Sequence, residues 1–139
     1  MNRPFALCAA MAAFAAGCGG NNHSAVPDRF SGTWKLRDGR TIPIRHVGRA
    51  EGERALRALG GSPCRGDAIY FRATYFGGLA RLAGCATGDG RRTIAGFDDN
   101  GRRGMIDQRL VRERPPTFEA RIVGVGGTPF RVTATRIGP

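Results

Sequence analysis

The sequence predicts a mainly β domain: about eight short antiparallel strands packed as a sandwich or barrel, with a single helix. Three observations carry this. Most segments from Phe30 onward alternate apolar and polar residues with period two. Glycine pairs, Asp-Gly and Asn-Gly steps punctuate them at intervals of about 8–12 residues. The chain has 139 residues, room for one domain but not for a (β/α)8 barrel or a full dinucleotide-binding enzyme. A hydrophobic content of 41% supplies a core and argues against a disordered polycation.

The elements follow in order. Phe30 to Leu36 places Phe30, Gly32, Trp34 and Leu36 on one face, and Asp38-Gly39 turns the chain. Thr41 to Val47 returns as a strand in which Pro43 marks an edge or an irregularity. Arg49 to Leu59 is the helix, with Ala50, Leu56 and Leu59 near one face and Gly60-Gly61 as its stop. Ala68 to Phe76 is aromatic and β-branched, Gly77-Gly78 turns it, and Leu79 to Thr87 comes back. Gly88-Asp89-Gly90 leads into Arg91 to Phe97, and Asp98-Asp99-Asn100-Gly101 turns into Arg103 to Glu113. Pro115-Pro116 ends that strand. Thr117 to Val125 and Pro129 to Ile137 form the last hairpin across Gly126-Gly127.

Gly32-Thr33-Trp34 in the first strand and Arg136 near the end of the last resemble the calycin group of small barrels, which includes the lipocalins. The resemblance spans Phe30 to Ile137 and implies an up-and-down β-barrel. It also implies an indole at the barrel base beneath the Arg136 guanidinium, a contact on the order of 1–2 kcal/mol when desolvated. Bulky interior candidates are Trp34, Leu36, Tyr70, Phe97, Phe118, Phe130 and Val132, with Ala or Gly at many positions between them. Small inward residues either narrow a barrel or leave room for a ligand.

Met1-Asn2-Arg3-Pro4 is a short positive segment, and Phe5 to Ala16 gives twelve residues without a charge. The stretch ends in Phe14-Ala15-Ala16-Gly17-Cys18, which resembles the lipobox of bacterial lipoproteins, with Ala15 where Leu is usual. That resemblance implies cleavage after residue 17, acylation of Cys18, and a flexible tether over residues 18–29 ahead of a barrel domain over 30–139. Gly19 rather than Asp after the Cys leans towards the outer membrane, facing the periplasm. Ordinary secretion is the alternative, since Ala13-Phe14-Ala15 also reads as a cleavage site. No apolar run reaches the 18 or so residues of a membrane-spanning helix.

After cleavage Cys18, Cys64 and Cys85 remain. Acylation of Cys18 leaves Cys64 and Cys85 to pair as a disulfide, the rival being a reactive thiol pair without Cys-x-x-Cys spacing. With Gly77-Gly78 at the hairpin centre, Cys85 lies opposite Tyr70, so the bridge requires residues 62–64 to fold back over the hairpin. No metal site is expected. His23 and His46 are isolated, and aligning Asp98-Asp99-Asn100-Gly101 with a calcium loop puts Gly96 at the first ligand position. No catalytic constellation or cofactor motif stands out, and Asp107 with Arg109 reads as a surface pair.

Charge is the remaining distinctive feature. There are 22 basic against 11 acidic residues, a net +11, and residues 18–139 keep +10 of it. Arg91, Arg92, Arg102, Arg103, Arg112 and Arg114 cluster near strand ends, so one positive rim is expected. An exported protein meets little nucleic acid; its polyanions are lipid headgroups, lipopolysaccharide phosphates and cell-wall carboxylates. The first functional expectation is a non-enzymatic, periplasm-facing lipoprotein that binds a protein, with inhibition or immunity as a subclass, or an anionic envelope component. The alternative is a carrier holding a small apolar or amphipathic ligand in a barrel cavity.

Overall fold

The period-two segments form a sheet that closes on itself. A computed structural model describes residues 24–124 and 129–139, so the signal-peptide and Cys18 readings and the Gly126-Gly127 turn lie outside the described residues. Eight strands are found among them: β1 (Gly32–Leu36), β2 (Thr41–Val47), β3 (Ile69–Tyr75), β4 (Ala80–Ala86), β5 (Arg92–Asp99), β6 (Arg102–Glu113), β7 (Pro116–Val123) and β8 (Phe130–Gly138). Each pairs antiparallel with its successor, and β8 pairs with β1 to complete the barrel. Closure removes the exposed edges that an open sheet would present. Pro43 lies outside the paired stretch of β2 and β3, which is confined to Arg45–Val47 opposite Tyr70–Arg72.

Two turns show how the local sequence sets the pairing. Asn100 and Gly101 both have positive φ, 53° and 91°, the conformation that matches the twist of a two-residue hairpin. Strand β5 therefore runs through Asp98 and Asp99, which belong to the ladder and not to the turn tip as expected. The Phe76-to-Leu79 connection sets Tyr70 opposite Cys85, the register predicted from a hairpin centred on Gly77-Gly78.

The helix α1 (Arg49–Ala58) carries Glu51 in its first turn and Arg57 in its last, both favourable to the helix dipole. It ends where the Gly61 N–H donates to the Leu56 carbonyl and the Gly60 N–H to that of Arg57, a Schellman closure. Its buried side packs on the outer face of β3 and β4, where Leu56 and Leu59 meet Tyr70, Ala83 and Cys85. Gly52 allows the close approach, because a Cβ there would fall 2.3 Å from Tyr70 Cβ.

There are thus two apolar clusters, one inside the barrel and one between helix and sheet. Tyr70 belongs to the second, a correction to its expected place in the interior. Alternation cannot separate the faces of β3 and β4, since the helix buries the outer one as well. Phe130 is the other correction: it is 45% exposed at the barrel end instead of buried within. Cys64 and Cys85 form a disulfide, which fastens the segment after α1 across the outside of β4.

Candidate functional site

The two ends of the barrel are built differently. At the end where β1 begins, Phe30, Trp34, Phe71 and Phe118 form an aromatic floor, with Trp34 and Phe118 ring centroids 4.8 Å apart. The Trp34 indole N–H donates to the Phe30 carbonyl at 2.8 Å. Residues 24–31 strap this end shut. The Ala25 N–H donates to Asp67, the Arg29 Nε to the Asp89 carbonyl, and Arg29 also pairs with Glu113 at 3.8 Å. Val26 and Phe30 are buried among the floor residues.

Arg136 is the direct cross-strand partner of Trp34 on β1 and β8. Its guanidinium, however, is not over the indole, which packs on Phe118 and Phe30 instead. The Arg136 side chain runs beside Gly32, where a Cβ would meet Nε at 2.9 Å and the Gly138 carbonyl at 2.8 Å. Gly32 also has φ +134°, so the barrel seam needs glycine on two counts.

At the opposite end the interior is hollow. A cavity of about 340 Å³ is lined by inward residues of every strand. That is the lower part of the roughly 300–1,000 Å³ range of small-molecule pockets. Its walls are Ile42, Leu82, Phe97, Ile106, Ile122 and Val132. It stays open because the sequence puts Ala120 between Phe118 and Ile122 on β7, leaving no bulk from that strand at mid-depth. Gln108, 4% exposed, is the one polar side chain in the wall below the rim among the described residues.

The rim combines charge with aromatic surface. The Arg40 guanidinium lies 4.2 Å from the Phe76 ring centroid and bonds Asp38 at 2.7 Å. Arg102 faces Asp99 at 3.5 Å. Burial, with a lesser push from Asp99, raises the Tyr75 phenol to about 12, so it is a neutral hydroxyl throughout the physiological range. Just outside the rim, the Asp98 carboxylate accepts from the Gly101 N–H at 2.7 Å and pairs with Arg103 at 3.1 Å and Arg81 at 3.3 Å.

The Gly101 N–H, followed by Arg103, holds the Asp98 carboxyl below its ordinary 3.8. A lowered carboxyl stabilises the fold above its ordinary pKa, and that contribution disappears as pH falls through the lowered value. Asp98→Asn should therefore reduce stability at neutral pH and flatten the loss on acidification. Urea midpoints measured from neutral to acidic pH check this; parallel losses in variant and wild type would exclude Asp98 as a linked group.

The six arginines expected to share one rim are divided between the two ends. Successive hairpin turns alternate ends, so Arg91, Arg92, Arg112 and Arg114 lie at the closed end while Arg102 and Arg103 lie at the open one. Most are also spoken for. Arg91 pairs with Glu113, and Arg92 makes a bidentate contact with Asp107 at 2.9 and 3.0 Å. Asp107 also meets Arg109 at 3.5 Å on the outer face, a surface network. Arg112 and Arg114 have no ion pair among the described residues.

Sequence reasoning missed Arg40, Tyr75, Phe76 and Gln108. The period-two pattern did contain the sign for Tyr75 and Gln108, which share the inward parity of Phe71 and Ile106. No group of His, Cys, Asp and Glu among the described residues is arranged to hold a metal ion. No family model matches this chain, and neither curated proteins nor solved structures yielded a match.

Proposed function

We propose that this protein is a ligand-binding module of the bacterial cell envelope, taking a small amphipathic molecule into the open end of its barrel. The observation that carries the reading is the cavity itself: apolar walls, a neutral polar group at depth, and charge confined to the rim. An apolar chain of on the order of ten non-hydrogen atoms fits this volume, taking roughly 30 Å³ for each. Burying it gains roughly 25 cal/mol per Å². Arg40 and Arg102 at the rim suit an anionic group at the outer end of such a ligand. The division of the other arginines between two ends takes weight from a single anionic docking face. Envelope location rests on the resemblance of residues 14–18 to a lipobox and on the Cys64–Cys85 disulfide, which persists in oxidising compartments.

The test is titration of the purified protein with 1-anilinonaphthalene-8-sulfonate, an apolar anion that fluoresces when desolvated. Saturable one-to-one binding is expected. Val132→Trp, which puts an indole into the cavity from β8, should weaken it at least thirtyfold while far-UV circular dichroism stays unchanged. Absence of saturable binding, or equal binding by the folded variant, would refute the reading. Intact mass of the protein from native membranes reports acylation of Cys18 and any retained ligand together.

A further inference from the structure

Buried polar side chains in proteins are almost always hydrogen-bonded. Two of the buried polar side chains among the described residues obey the rule: the Thr117 hydroxyl donates to the Pro115 carbonyl at 2.9 Å, and the Asp98 carboxylate accepts from the Gly101 N–H at 2.7 Å. Two do not. Thr93, 2% exposed on β5, has an Oγ1 sealed from solvent with no hydrogen-bond partner. Gln108, 4% exposed on β6, lines the cavity, and its amide bonds to no described residue. Thr93 and Gln108 are direct cross-strand partners, so their Cβ atoms stand about 5 Å apart on the inward face.

Gln108 lies six residues along β6 from the rim residue Arg102, about 20 Å of strand. The charges lining the cavity, on Arg40, Asp99 and Arg102, all belong to the rim. An anion at the depth of Gln108 would sit in an apolar chamber without a cation, at a cost of several kcal/mol. A neutral group meets no such penalty. The Gln108 amide offers both an acceptor oxygen and two donor hydrogens, and the Thr93 hydroxyl on the neighbouring strand has its own hydrogen-bonding capacity unused.

We propose that Gln108, with the unpaired Thr93 hydroxyl beside it, recognises an uncharged hydrogen-bonding group on the buried end of the ligand, a hydroxyl or a carbonyl. This deepens the ligand-binding reading and rests on it. The bound molecule then carries polar groups at both ends: a neutral one at the floor and, where it has a charge, an anionic one at the rim. A hydroxyl suits the site best, since it both donates to the amide oxygen and accepts from the amide nitrogen.

Displacement of bound 1-anilinonaphthalene-8-sulfonate by 1-octanol, 1-chlorooctane and octanoate tests the proposal, on wild type and on Gln108→Leu. The variant keeps side-chain volume and removes an unpaired amide, so it should fold at least as stably. The ratio of octanol to chlorooctane affinity should fall about fivefold in the variant, the contribution of one neutral hydrogen bond. Thr93→Val should lower it in the same direction. In the wild type, the Gln108 side-chain amide resonances should move with octanol and stay in place with chlorooctane. A ratio unchanged within twofold would overturn the proposal, leaving the polar pair to water. Octanoate binding that depends on Gln108 as strongly as octanol binding would overturn the requirement for a neutral group. If none of the three displaces the probe, this inference fails, whereas the ligand-binding reading is decided separately, by the binding of the probe itself and its loss in Val132→Trp.

Discussion

Trp34→Ala should lower the free energy of unfolding by about 3–5 kcal/mol. Trp34 is fully buried, and its ring is held between Phe118 and Phe30 at the barrel floor. Truncation empties the centre of that floor and leaves the Phe30 carbonyl, which accepts the indole N–H, without its partner. The barrel end has few ways to collapse, because residues 24–31 are fastened across it at Asp67, Asp89 and Glu113. Denaturant midpoints followed by circular dichroism measure the loss, since the variant has no remaining Trp fluorescence. A loss below about 1 kcal/mol would mean that the floor is not a packed structural unit.

Removing the Cys64–Cys85 bridge should cost about 3 kcal/mol, the loop-closure entropy of a segment this long. The two cysteines are 21 residues apart in sequence, and the loop they close contains all of β3 and most of β4. The effect should be uneven. The bridge clamps the segment behind α1 to β4, so the helix–sheet cluster of Leu56, Leu59 and Tyr70 should open before the barrel interior does. Hydrogen exchange on the Cys64→Ser/Cys85→Ser double variant would show α1 amides losing protection first. Uniform loss across helix and barrel would contradict this order.

Much of the architecture could be read from the chain because it depends on local chemistry. Glycine pairs and Asn-Gly set the turns, the period of two set the strands, and Gly77-Gly78 placed Tyr70 opposite Cys85 correctly. Gly60-Gly61 stopped the helix within one residue of the expected end. What escaped depends on which layer covers which face. Tyr70 and Phe71 are adjacent and both buried, and only the docked helix decides that Tyr70 faces outward. The Arg136 guanidinium does not stack on Trp34, whose indole packs on Phe30 from the strap and on Phe118, neighbours that a two-residue motif does not reveal. The cup was invisible for a related reason. It arises from the sum of inward side-chain volumes at one level of the barrel, which no single strand reveals. Gln108 looked like an ordinary polar alternation partner until closure turned it inward.

The strap has one more consequence, in the way the molecule is held. Ser24, the first described residue, leaves the fold at the sealed foot of the barrel, and the opening is at the far end. Five residues lie between it and Cys18 in the sequence. Were Cys18 acylated, as proposed, the lipid would be joined to the sealed foot of the barrel and not to its lip. Attachment and ligand entry would then lie at opposite ends of the barrel, so that neither obstructs the other.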